Sequence, residues 1–217
     1  MSLKMFNGII ALLANALRFY ALKYFVGIFV QKEESRWKHV SILYIIGWAW
    51  TSAISLLFSS PAMNILSNIT SLFLIFFPYR IKKTKKCLAV FIIYVINALV
   101  DSIVILSLTK YTMGQPVNQV YECVTSFALL FIAIIIQRTT EPEKEITLPA
   151  LNMAALLMVP VVSIVYIYYL IIVAHEIKEI VIFAALALLF INILIFYLYH
   201  SLLKFYSARM NEQVFKQ

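Results

Sequence analysis

Apolar residues run along this chain in long blocks, and polar residues gather into short interruptions between them. A helix needs about 20 predominantly apolar residues to cross a hydrocarbon core about 30 Å thick. Seven blocks reach or approach that length: Phe6–Val30, Val40–Phe58, Ala62–Pro78, Cys87–Thr109, Gln119–Gln137, Pro149–Val173 and Ile177–Tyr199. The third is short, and the first is interrupted by Asn15, Arg18 and Lys23. Ser59-Ser60-Pro61 reads as a tight turn, with Pro61 suited to open the next helix. Most blocks are too long for membrane strands, and Gly is scarce at 4 residues. The predicted fold is therefore all-α: a bundle of about seven transmembrane helices over residues 1–199, continued by a C-terminal exit helix over 200–217.

Composition removes the soluble classes. Hydrophobic residues make up 63% of the 217, charged residues 13%, and mean hydropathy is +0.92. A soluble domain of this size could not hide that much apolar surface, so the expected solvent is a lipid bilayer. A net charge of +8 does not point to nucleic acid here, because the cations sit in short clusters between apolar blocks. Placing the C-terminus in the cytoplasm puts fourteen of the 18 Lys and Arg on that side, the largest cluster being RIKKTKK at Arg80–Lys86. Only Lys4, Lys110 and Lys178 then lie outside, and Arg18 lies within a span. That asymmetry predicts a cytoplasmic C-terminus and, with an odd number of spans, an N-terminus outside.

Catalytic and metal chemistry find no foothold. Cys87 and Cys123 fall at opposite ends of neighbouring spans, which predicts no disulfide. His39, His175 and His200 are in three separate places, so neither a metal site nor a cofactor is expected. His175-Glu176 lacks the second His of a zinc-protease motif. No nucleophile elbow, P-loop or dinucleotide fingerprint is present, and no catalytic residue is identified. Pro160 interrupts the sixth block without a counterpart in the first half, so the paired broken helices of many transporters are not evident.

Ionisable groups inside a span are costly, which makes them functional candidates. Asp101 shares a helix face with Asn97, and Arg18 with Asn15. At 1.5 Å per residue, Arg18 lies about 18 Å below Phe6 and Asp101 about 12 Å below Thr109. These depths allow a buried Arg18–Asp101 ion pair; the other reading is that Arg18 snorkels inward while Asp101 reaches outer water. Glu122 stands at a similar level. Tyr111, Gln115, Asn118, Gln119 and Tyr121, with Glu176 and Glu179, would form a polar, aromatic outer rim. Asp101, Glu122, Asn97, Tyr111 and Gln119 are the candidate ligand-binding residues, although Tyr at a membrane surface is also ordinary interfacial decoration. Asn64, Asn68, Asn152 and Asn192 read as interhelical hydrogen-bonding groups.

The chain ends in SLLKFYSARMNEQVFKQ, Ser201–Gln217, with no Gly or Pro to stop the last helix. Leu203, Tyr206, Met210 and Val214 recur at three- and four-residue spacing, which suits a signal-coupling or pairing face. A plain membrane-exit helix is the other reading. A short-looped bundle followed by such a helix resembles the sensor region of peptide-pheromone receptor histidine kinases, the bacterial quorum-sensing kinases with a GHKL-type ATPase domain. The resemblance implies an extracellular, secreted peptide ligand, a homodimer joined through the C-terminal helix, and a location in the bacterial cytoplasmic membrane. It also implies a kinase core of two-component signalling beyond this helix, of which these residues hold no ATP-binding motif. The alternatives are a small-molecule-binding transporter subunit and a stand-alone membrane accessory or immunity protein.

Overall fold

In lipid, an apolar segment can satisfy its backbone polar groups internally by forming a helix. A computed structural model, which describes residues 3–30, 40–58, 61–109, 118–140, 149–173 and 178–215, contains seven of them. They are α1 (Leu3–Phe29), α2 (Val40–Leu57), α3 (Pro61–Phe76), α4 (Lys83–Thr109), α5 (Asn118–Thr139), α6 (Ala150–Val173) and α7 (Lys178–Phe215). Five carry apolar stretches long enough to cross a membrane: Gly8–Phe29, Val40–Leu57, Lys83–Leu108, Val120–Thr139 and Ile180–Arg209. α3 and α6 contribute shorter apolar stretches, Met63–Phe76 and Ala154–Tyr166. The chain is a multi-pass, all-helical membrane bundle.

Helix ends follow local chemistry. α4 starts inside the basic cluster, where lysines extend a helix readily; the Lys86 amide donates to the Lys82 carbonyl at 3.0 Å. α6 runs through Pro160 without a break. α7 is one helix of 38 residues, about 57 Å long at 1.5 Å per residue.

α4 is the axis of the bundle, packing against α1, α3, α5, α6 and α7. Of its membrane-length stretch 61% is buried, against 22–33% in the other four. Successive contacts α1–α2, α2–α3, α3–α4, α4–α5 and α5–α1 close a five-helix ring. α6 and α7 pack on α4 and on each other. At α4's start, here called the basic end, Phe29, Phe76, Phe196, Tyr199 and His200 form an aromatic cluster; Phe29 meets Phe196 edge-on at 5.4 Å and His200 meets Phe196 at 4.6 Å. Toward α4's other end, Val95 and Leu99 pack with Ala185 of α7, and Leu106 packs with Val181. The outward surface is apolar, as a lipid-facing surface must be: Leu13, Ile45, Phe127, Phe131, Val165, Phe183 and Phe190 are all exposed.

The bundle does not end at Tyr199. His200 is buried, Leu203 is only 3% exposed, and Tyr206 packs against the same core while accepting a 3.3 Å hydrogen bond from the Asn152 amide. Leu203 and Tyr206 were expected on a face open to a second chain. In the structure they pack α7 onto its own bundle, because a side chain on the apolar side of α7 is covered by the chain's own core there. The side chains of Met210 and Val214 lie outside the described residues.

Candidate functional site

Away from the basic end, the five helices of the ring line a partly open cavity of about 290 Å³. Each helix of the ring supplies polar groups: Asn15 and Arg18 from α1, Thr51, Ser52 and Ser55 from α2, Asn64, Ser67 and Asn68 from α3, Asp101 from α4, and Glu122 and Ser126 from α5. The apolar part of the lining is Ala11, Leu12, Leu56 and Ile105. Polar groups in a membrane bundle are placed there to bond between helices or to meet water or a polar ligand, and this lining contains groups of both kinds.

An ion pair crosses the ring. Arg18 Nη2 donates to Asp101 Oδ1 at 2.8 Å, with the Arg18 side chain 15% and the Asp101 side chain 30% exposed. Arg18 Nε is buried without a hydrogen-bond partner among the described residues. Asp101 sits eight residues before α4 ends at Thr109, about 12 Å along the helix.

Several lining groups are committed to holding the helices. The Asn15 amide donates to Ser52 Oγ at 2.7 Å and to Thr51 Oγ1 at 3.1 Å, tying α1 to α2. Trp48 Nε1 donates to the Leu12 carbonyl at 3.2 Å, a second tie between the same helices. The Ser126 hydroxyl lies 2.8 Å from the Ala14 carbonyl and 2.7 Å from that of Glu122, joining α5 to α1. Gly47 lets α2 approach: a Cβ there would lie 2.8 Å from Phe19 Cε1 and 3.5 Å from Ser71 Cβ.

Other lining groups are uncommitted. The side chains of Ser55, Asn64 and Asn68, and the Glu122 carboxylate, make no hydrogen bond within the described residues. Asn64 and Asn68 were expected to bond between helices, and they face the cavity instead. Asn152 and Asn192 do bond between helices: the buried Asn192 amide of α7 donates to Ser163 Oγ of α6 at 2.9 Å.

Asp101 and Glu122, two of the five candidate ligand-binding residues, therefore line one cavity together with Arg18. Asn97 does not line it; one turn from Asp101 toward the basic end, it is buried with its Oδ1 unpartnered. Tyr111 and Glu176 lie outside the described residues, as do the side chains of Gln119 and Glu179. Sequence reasoning missed Ser52, Ser55 and Ser67 of the α2 and α3 wall, and gave Asn64 and Asn68 an interhelical role rather than a place in the lining. The available signal was their recurrence on facing ends of two helices joined by a short turn. Cys87 and Cys123 are free thiols, and no group of three His, Cys, Asp or Glu stands together among the described residues.

These features define a class, a helical membrane bundle with a charged polar cavity inside it. No family model, curated protein or solved structure matches the chain.

Proposed function

We propose that this chain is the ligand-sensing membrane portion of a bacterial two-component receptor. In this reading the basic end is cytoplasmic, and the cavity sits toward the outer face, where a secreted peptide can reach it. The reading rests on one observation above others. α4 carries Asp101 into the cavity and packs Val95, Leu99 and Leu106 against α7, a helix about 57 Å long that exceeds the roughly 30 Å core. A ligand that binds two α4 positions with different affinity would shift α7 between two positions, and α7 would carry that shift beyond the bilayer. A cavity of about 290 Å³ is at the small end for ligand pockets, so it suits one end of a peptide rather than the whole. Because Leu203 and Tyr206 are spent within the bundle, a homodimer would have to pair through the exposed side of α7, where Lys204, Phe205 and Arg209 lie.

Reading the gene past the Gln217 codon tests the kinase part. A frame that continues into a long helix with a His, and then an ATP-binding domain, supports it; a stop codon overturns it. A second reading, a solute-binding transporter subunit, is favoured by a polar cavity lined by five helices of the bundle. Uptake of a labelled solute by proteoliposomes holding this chain would favour that reading.

A further inference from the structure

The charges around the cavity do not balance. Among the described residues of its lining Arg18 is the one cation, and Asp101 and Glu122 bring two carboxylates. The Arg18 guanidinium is hydrogen-bonded to Asp101 at 2.8 Å. Its Nε is buried without a hydrogen bond, so Glu122 is not bonded there. Glu122 stands on α5, and its carboxylate accepts no hydrogen bond from a described side chain, with the charge of Arg18 acting on it and on Asp101 together. Arg18 acts on both carboxylates, so one negative charge of the described lining is left over, and a surplus carboxylate charge at membrane depth is expensive. The other wall is chemically different: Ser55, Asn64 and Asn68 present neutral donors and acceptors whose side chains have no hydrogen-bond partner among the described residues.

We propose that the cavity binds a small cationic ligand, a protonated amine joined to an amide or hydroxyl. Glu122 receives the ammonium, and Asn64, Asn68 and Ser55 bond the neutral polar end. The free N-terminus of a peptide has this chemistry: an ammonium followed at once by an amide. The Arg18–Asp101 pair is the partition between the two halves, and it keeps Asp101 from competing for the ammonium. This inference rests on the reading of the cavity as a ligand site, and adds the charge and polarity of what enters it.

Three dipeptide probes of one frame test it on the full chain in detergent. Alanyl-alanine amide carries one positive charge, N-acetyl-alanyl-alanine amide none, and N-acetyl-alanyl-alanine one negative charge. The positive probe, at ten times its Kd, is expected to raise the midpoint of thermal unfolding by about 3–6 °C. The neutral and negative probes are expected to give no rise at that concentration. Glu122→Gln, which keeps the side chain's shape, should abolish the rise, and Asn68→Ala should weaken binding of the positive probe. If the neutral probe binds as well as the positive one, or Glu122→Gln leaves the positive probe's effect intact, the charge assignment is overturned while a ligand site remains. If none of the three shifts the midpoint at 10 mM, the ligand-site reading falls with it.

Discussion

Removing Arg18 should cost more than removing either carboxylate near it. Exposed ion pairs contribute about 0–1 kcal/mol, and stranding one partner of a fully buried pair costs about 3–5 kcal/mol. At 15% and 30% side-chain exposure, the Arg18–Asp101 pair lies between these limits. Arg18→Gln leaves two carboxylates in one cavity without their cation, so about 2–3 kcal/mol is expected. Asp101→Asn should cost less, about 1–2 kcal/mol, because Glu122 remains to offset the guanidinium. Glu122→Gln should be near neutral, since it removes the excess charge. The double variant Asp101→Asn/Glu122→Gln strands Arg18 and should cost about 1 kcal/mol more than the two singles added. For a chain of this size 1 kcal/mol moves the unfolding midpoint by about 2–4 °C, so Arg18→Gln should melt about 4–12 °C low. Fluorescence-monitored unfolding in detergent reads this, with Trp48 as a local reporter through its bond to the Leu12 carbonyl. If the two carboxylate variants add to within about 0.5 kcal/mol, the three groups do not act as one charge set.

Gly47 and Gly27 should respond oppositely to Ala. Gly47→Ala drives a methyl against the Phe19 ring at 2.8 Å and should cost about 1–3 kcal/mol, partly recovered by Phe19→Leu, whereas Gly27→Ala meets only the tip of Gln137 and should be neutral or gain up to about 1 kcal/mol; unfolding midpoints separate the two. Asn192→Ala should cost about 0.6–1.7 kcal/mol, and Ser163→Ala should remove part of the same energy, which a double-mutant cycle measures. His200, buried against Phe29 and Phe196 with both ring nitrogens unpartnered among the described residues, should accept Phe without loss of stability, while His200→Ala opens a cavity and lowers the midpoint.

Much of the scaffold was readable from the pattern of apolar residues, because a bilayer imposes one length and one backbone solution. The expected Val40–Phe58 and Cys87–Thr109 spans became α2 (Val40–Leu57) and α4 (Lys83–Thr109). The early start of α4 was hidden because lysines are poor in hydropathy yet good in helix propensity. The Arg18–Asp101 proximity was readable because two charges at matching depth have few other places to go. The Ser55, Asn64 and Asn68 wall was not. Small polar residues in membrane helices serve equally as interhelical ties and as cavity lining, and only the packing of α2 on α3 and α1 separates these uses. Asn97 shows the converse: helical spacing put it on the face of Asp101, but the cavity closes within one turn. Leu203 and Tyr206 carry a periodicity that does not distinguish a partner from the chain's own core.

Cysteine accessibility from one side of the membrane is the first measurement to make. With Cys87 and Cys123 replaced by Ala, single cysteines at Asn64 and Asn68 would be exposed to a membrane-impermeant thiol reagent on intact cells, with Lys83→Cys at the basic end as the opposite-side reference. An outward-facing polar cavity predicts labelling at both Asn positions, slowed by alanyl-alanine amide, and no labelling at position 83 until the membrane is opened. Labelling of position 83 in intact cells with the Asn positions protected would reverse the orientation, and protection of both Asn positions from either side would mean that the space is sealed and receives no ligand.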